Sequence, residues 1–475
     1  MNNRKLTIIT VAAVILYTIV LVGWHLYDPA KYLVEHLPGA DNRPEGSARK
    51  ADDVVIGEFF MQYDAVAPEG LTGSWNGFRG TGKDNIVRLP ASSALSDEFE
   101  ELWVQETGEG HAAPAVHNGR VYILDYNEQL NSDALRCFNL VTGEELWRRW
   151  YRVPMKRNHG FSRTIPAVYQ NYVVTVGPEG HVMCCDAETG GLHWTLDLKK
   201  TYGAEIPFWF TGQCPYITEG GLLILAPAGK EVLMVGIDVR NGEVKWSTPN
   251  ETGIKMSHSS VMPMTLGGKP TLVYAGVGGV CGISADGQDQ GKLLWTTGQW
   301  QPSVVAPSPL QLSGDRIFLV AGYGAGGALL QVSRDGSSWS ATVLDQYKAD
   351  KGLSSEQQTP ILYNNQIITI LPKDGGGMRE RVSIYSPADL HKSIWNSAAD
   401  ERFGLGPYLV IDDKLFALKE GGELCVYAIG NRSMTLLHKQ EIIVDGVDAW
   451  GPMAYADGML LVRDSRHVKC LKIMQ

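Results

Sequence analysis

The feature that most narrows the fold is a stretch that repeats, seen most cleanly from Pro114 to Trp147. Ala115-Val116-His117 and the run Arg120 to Leu124 flank Asn118-Gly119. After a polar gap, Leu135 to Leu140 and Glu144 to Trp147 flank Thr142-Gly143. Asn-Gly supplies the two positive φ angles of a tight hairpin, and Thr-Gly suits the second turn. The spacing predicts four short antiparallel strands, the outermost anchored by the large apolar ring of Trp147. Such a unit cannot bury both faces alone, so it must stack on copies of itself.

The copies are present. Pro166-Ala167-Val168 leads to the tail Asp186 to Trp194, and Pro215-Tyr216-Ile217 to the tail Asp238 to Trp246. Weaker copies run from Pro263 to Trp295, Pro307 to Trp339 and Pro360 to Trp395. Pro407 opens one that ends near Leu437 without a tryptophan. Pro452 opens the last, which reaches Cys470 to Ile473 and lacks its outer strand. Successive prolines stand 52, 49, 48, 44, 53, 47 and 45 residues apart, one propeller blade per interval. Glu101-Leu102-Trp103-Val104-Gln105 matches Glu145-Leu146-Trp147, so an N-terminal strand is expected to complete the last blade and remove its open edge. The fold expected is all-β: an eight-bladed propeller over residues 99–475, preceded by a transmembrane helix within 1–26 and a linking segment over 27–98.

The tails Asn139 to Trp147 and Asp186 to Trp194 read Asn/Asp-x-x-Thr-Gly-x-x-x-Trp, with Asn241 for Thr in the tail Asp238 to Trp246. They resemble the tryptophan-docking repeat of the pyrroloquinoline-quinone (PQQ) β-propeller superfamily, over roughly Trp103 to the C-terminus. The resemblance implies that Trp103, Trp147, Trp194, Trp246, Trp295, Trp339 and Trp395 dock blade on blade. That repeat serves both quinoprotein alcohol dehydrogenases and the non-enzymatic propeller lipoprotein of the outer-membrane barrel-assembly machinery. Trp75-Asn76-Gly77-Phe78-Arg79-Gly80 likewise resembles the Trp-x-x-Phe-Arg-Gly segment ahead of many bacterial PQQ-like propellers, and is expected to pack against the ring.

Leu6 to Trp24 carries no charged residue and is long enough to cross a bilayer. Arg4 and Lys5 before it favour a cytoplasmic N-terminus. Val22-Gly23-Trp24-His25 offers no small-x-small cleavage site and no cysteine follows, so an uncleaved anchor is expected over a signal peptide or lipoprotein signal. Either way the propeller belongs outside the cytoplasm, in the periplasm of a Gram-negative-type cell. Tyr27 to Leu37 suggests a short helix, and Gly39 to Asp52 a linker. A net charge of −10 argues against a nucleic-acid partner.

Cys137, Cys184, Cys281, Cys425 and Cys470 share a register in the third strand, where a small apolar side chain fits between blades; Cys184-Cys185 is therefore read as packing. Seven cysteines, an odd number, argue against a full disulfide framework. The glycine runs Gly276 to Gly279 and Gly322 to Gly327 lie between strands and are turns, not a dinucleotide loop. Binding is sought where the chain enters each inner strand, because these segments converge on the central funnel. The ligand candidates are His111, Arg163, Gln213, His258, Glu356, Gln357, Asp448 and Trp450. A basic cluster of Arg148, Arg149, Arg152, Lys156, Arg157 and His159 is the partner candidate, and charge reversal at Arg149, Arg152 and Arg157 is expected to spare thermal stability.

No catalytic residue and no metal ligand is assigned. A PQQ enzyme needs Ca²⁺ held by carboxylate and amide oxygens and a general base, and that constellation does not map onto these residues. The function expected is a membrane-anchored, monomeric scaffold outside the cytoplasm that binds an envelope protein or a small ligand, without cofactor. The alternatives are a quinoprotein alcohol dehydrogenase using PQQ with Ca²⁺, and a carbohydrate- or peptide-binding propeller.

Overall fold

The computed structural model describes residues 3–27, 54–90 and 94–474. The chain divides into two compact units, 1–53 and 54–475. In the first, one helix, α1, runs Asn3–Leu26. Its 24 residues span about 36 Å, enough for a hydrocarbon layer of about 30 Å. The hydroxyls of Thr10 and Thr18 donate to Leu6 O (2.9 Å) and Val14 O (2.8 Å) one turn back, which suits two polar side chains to an apolar surrounding. The short helix expected before Leu37 and the linker up to Asp52 lie outside the described residues.

The second unit is an eight-bladed propeller, each blade a sheet of four antiparallel strands with extra edge strands on blades 1 and 7. Blade 1 is Ala115–His117, Arg120–Asn127, Ser132–Asn139 and Glu145–Arg152. Its first turn puts Asn118 at φ 47° and Gly119 at φ 71°, as the hairpin sequence demands. Blade 8 takes three strands from Ala454–Ala456, Met459–Arg463 and His467–Met474, and its fourth from Leu95–Glu106. Cys470 sits opposite Trp103 and Val468 opposite Gln105, so the N-terminal strand closes the ring in the expected register.

The docking rule has a concrete geometry. A Cβ placed on Gly143 would come within 2.5 Å of the Trp103 ring, on Gly190 within 2.7 Å of Trp147, on Gly242 within 2.9 Å of Trp194, and on Gly291 within 2.7 Å of Trp246. Each tryptophan thus lies flat on the turn glycine of the next blade, and each glycine has a positive φ as well. The indole N–H of Trp103 donates to Leu140 O, and that of Trp194 to Val239 O, both at 2.8 Å. The third-strand thiols of Cys470 and Cys184 approach the same two carbonyls at 3.5 Å, which fixes why a small buried group belongs at this register. All seven cysteines are free and buried.

Trp339 does not dock in this way. In the other tryptophan blades the ring sits beside a β-bulge: Cys137 faces Trp147, Gly282 faces Trp295 and Ile384 faces Trp395, each just before the register shifts. In blade 5 that position is Asp345, opposite Leu329. The last two strands of this blade run ten residues each, Gly326–Asp335 and Ser338–Tyr347, which carries Trp339 out to the hairpin tip. There it lies back on Gly267 of blade 4, under the guanidinium of Arg334. Asp345 accepts a hydrogen bond from His391 Nε2 of blade 6 at 2.7 Å, so a polar pair stands where a tryptophan stands elsewhere. In blade 7 the same position is His438, stacked edge-on against Phe99.

The lead-in segment is part of the propeller. Phe59–Gln62 pairs with the outer strand of blade 1, and Ser74–Trp75 with its inner strand. From there the chain crosses the channel. Asn76 O accepts from Val168 N of blade 2, Arg79 reaches blade 6, and Ile86–Val87 pairs with Tyr408–Ile411 of blade 7. Residues 74–87 therefore form a plug across the ring.

Candidate functional site

Above the plug is a cavity of about 310 Å³. Phe78, Arg79 and Asn85 of the plug contribute to its lining. The rest comes from connections entering inner strands and from the second-to-third hairpins of blades 5 and 6, which bring in Tyr323 and Lys373. Of the eight ligand candidates, His111, Arg163, His258, Glu356, Gln357 and Trp450 line it.

Gln213 and Asp448 do not. The Gln213 amide donates to Ala226 O (3.0 Å) and accepts from Ala226 N (2.8 Å), so it completes the backbone pairing of blade 3. Asp448 adopts φ 51° in the connection leading to Trp450, and burial together with Glu420 pushes its carboxyl up.

Burial, aided by Arg163 and Arg463, drives the His111 imidazole down to about 3; burial and Arg163 take His258 to about 4. Both rings are neutral at physiological pH. His111 stacks on Trp450 at 4.9 Å, and its Nε2 meets His159 O at 3.1 Å. Arg163 donates through Nε to Trp209 O (2.6 Å) and through Nη2 to Asn158 O (3.0 Å) and His159 O (2.7 Å), pinning the loop over the cavity. Burial lowers its guanidinium to about 10, so it stays charged. Glu356 has its carboxyl raised by burial and by Asp374.

Four lining residues outside the ligand candidates matter most: Arg79, expected only to pack with its segment, and Trp209, Tyr323 and Lys373. Trp209 and Tyr323 stack at 5.5 Å and 8° across the mouth, joining the loop ahead of blade 3 to the hairpin of blade 5. The aromatic run Phe208-Trp209-Phe210, just before Gln213, was the available signal.

The basic cluster divides in two. Arg148 pairs with Glu145 at 2.5 Å, Arg149 donates to Gly190 O (2.7 Å) and Gly57 O (2.8 Å) while covering Phe60, and Arg152 covers Phe59. Arg149 and Arg152 hold the extra strand Phe59–Gln62 on blade 1, and Arg148 covers Tyr63 just after it. Charge reversal at Arg149 would leave two carbonyls without their donor, contrary to the expectation that this site is free of structural duty. Arg157, bonded to Glu109 at 2.5 Å, belongs with Lys156 and His159 to the loop over the cavity, and His159 lines it.

These features define a PQQ-like propeller scaffold, its channel plugged and one face opening into a lined funnel. The particular family follows from the sequence: residues 131–375 match the family described as outer membrane protein assembly factor BamB, and the chain belongs to it. Among solved structures, BamB from Moraxella catarrhalis is 11% identical, covered over 79% of this chain and 100% of its own, with a TM-score of 0.48. The computationally designed Ika8 protein gives 12%, 79%, 100% and 0.51 in the same terms. A quinohemoprotein alcohol dehydrogenase from Comamonas testosteroni gives 12%, 84%, 80% and 0.41. No curated protein matches.

Proposed function

We propose that this chain is a propeller anchored in the cytoplasmic membrane by α1, facing the periplasm, and acting as a docking scaffold for an envelope protein through its funnel face. The observation that carries this is the rim. Phe208, Val444, Tyr323 and Val447 are 79%, 71%, 60% and 57% exposed, and all sit in loops that also line the funnel or lead directly to it. Apolar side chains gathered around one opening mark an interaction site. The sequence relation to an assembly factor supports the same reading. The test has two parts. Carbonate extraction of membranes is expected to leave the full chain in the pellet and to release a chain lacking residues 1–26. A photo-crosslinking residue at Phe208 is expected to capture a protein in cells, while one at Leu344, on the outer strand of blade 5, is not; the reverse pattern would sink the proposed face.

A PQQ enzyme is not favoured, because the residues present do not fit the cofactor. Ca²⁺ takes six to eight oxygens with several carboxylates among them. The cavity offers one lining carboxylate, Glu356, among Arg79, Arg163 and Lys373, which repel a dication. Cys184-Cys185 lies in the third strand of blade 2, away from the lining. A thermal melt with PQQ and Ca²⁺ is expected to show no upward shift; a true ligand at ~100 times its Kd would add about 2.7 kcal/mol.

A further inference from the structure

We infer that the partner seats an acidic side chain in the funnel, carried on an apolar segment whose flanking residues rest on the rim. This rests on the scaffold reading and names the chemistry it recognises.

Three cations, Arg79 and Arg163 in the lining and Lys83 in the plug, give their hydrogen bonds to neutral acceptors. Arg79, 5% exposed, donates to the carbonyls of Lys83, Asp84, Thr359 and Pro360. Arg163 donates to those of Asn158, His159 and Trp209. Lys83 Nζ donates to Asn76 Oδ1 at 3.2 Å. Carbonyls solvate a cation without neutralising it, and a desolvated charge without a counter-ion is costly to keep. Burial lowers Arg79 and Arg163 to about 10 and Lys83 to about 8, so all three remain cationic at neutral pH. Lys373 adds a third cation to the lining, against the single lining carboxylate Glu356. Of the nearby carboxylates, Glu109 is engaged by Arg157 and Arg466, Glu420 accepts from Trp450 Nε1, and Asp84, which acts on Arg79, is bonded to Arg88; Asp374 acts on Glu356, and Asp448 stands near Glu420 and Lys373. In a chain with net charge −10 this positive centre is local, and low-dielectric walls focus its field up the funnel.

The rim identifies the source of the anion. A free small anion gains nothing from Phe208 or Val444 lying in solvent outside the cavity, whereas a protein segment covers them as its carboxylate enters. A buried polar centre within an apolar ring is the arrangement that concentrates binding energy at an interface.

The test uses the full chain in detergent and three capped peptides of identical apolar residues with a central Glu, Gln or Lys, followed by tryptophan fluorescence. Sodium benzoate serves as the small-anion probe. The Glu peptide is expected to bind on the order of tenfold more tightly than the Gln peptide, the Lys peptide most weakly, with the difference shrinking as salt rises. Lys373→Gln, at an exposed position, is expected to reduce the Glu preference about threefold and Glu356→Gln to increase it, neither disturbing the fold. Phe208→Ser with Tyr323→Ser should weaken all three peptides without changing their order. Equal binding of the Glu and Gln peptides, or a Lys preference, overturns the inference. So does benzoate binding as tightly as the Glu peptide, which would make this a small-molecule site. If the ranking fails while cross-linking at Phe208 persists, the scaffold stands and only the acidic partner falls; loss of both removes the docking face itself.

Discussion

Replacing Trp147 with Ala should destabilise the propeller by about 3–5 kcal/mol, the range for emptying a large aromatic site in a packed core. The ring is 1% exposed and lies against Gly190, so its removal opens a void between blades 1 and 2. Among the described residues its indole N–H has no hydrogen-bond partner, unlike those of Trp103 and Trp194, so the loss is one of packing. Gly190→Ala attacks the same contact from the other side, with a Cβ 2.7 Å from the ring and a φ of 71° to maintain. The glycine and tryptophan variants touch one contact, so their effects should not add in a double mutant. Urea unfolding followed by tryptophan fluorescence measures this. A loss under about 1 kcal/mol for Trp147→Ala would show that the docking contacts do not hold the ring together.

Blade number and ring closure were legible because each rests on local chemistry repeated at a fixed interval. The shared cysteine register held for Cys137, Cys184 and Cys470, which face Trp147, Trp194 and Trp103, but not for Cys281 and Cys425, which stand one residue before the facing positions Gly282 and Val426. Asn118-Gly119 dictates its own turn, and Trp103 announces a strand with no neighbour in sequence. The site was legible only in part. His111, Arg163, His258, Glu356, Gln357 and Trp450 were found because chain order places them ahead of inner strands, and topology aims those positions at the axis. Gln213 satisfied the same rule yet turned to pair with Ala226, a choice made by the blade 3 backbone and invisible in residue type. Trp209 meets Tyr323 from two blades away, and no periodicity encodes that distance. Trp339 misled because counting residues to a tryptophan ignores a lengthened hairpin; the bulge marks the docking position, and there blade 5 carries Asp345. Arg149 misled for a related reason, since charge alone does not reveal that Gly57 and Gly190 already hold the guanidinium.

The plug bears a prediction of similar size. Arg79 holds φ 61° and donates to Lys83 O (3.2 Å), Asp84 O (3.0 Å), Thr359 O (2.9 Å) and Pro360 O (3.1 Å). Two of these acceptors belong to the plug itself and two to blade 6, so one guanidinium ties the crossing segment to the far side of the ring. Arg79→Met keeps the bulk, removes every donor, and leaves four carbonyls to find water from the cavity. At about 1–3 kcal/mol for each buried group left unmet, a total loss of several kcal/mol is expected even with partial hydration. Arg79→Lys separates the two roles of the residue. It restores a cation beneath the funnel, but a single ammonium lacks the planar fork that reaches both groups of carbonyls. The Lys variant should therefore melt nearly as early as the Met variant while keeping some of the preference for an acidic peptide. Hydrogen exchange should rise first in Ile86–Val87 and its partner strand Tyr408–Ile411, because this pairing is the plug's other attachment on that side. A Lys variant as stable as the parent would mean that charge, not the fork, fixes the plug. The channel would then be closed by electrostatic attraction to the carbonyl dipoles, and the geometry of residues 74–87 would be a consequence of that attraction.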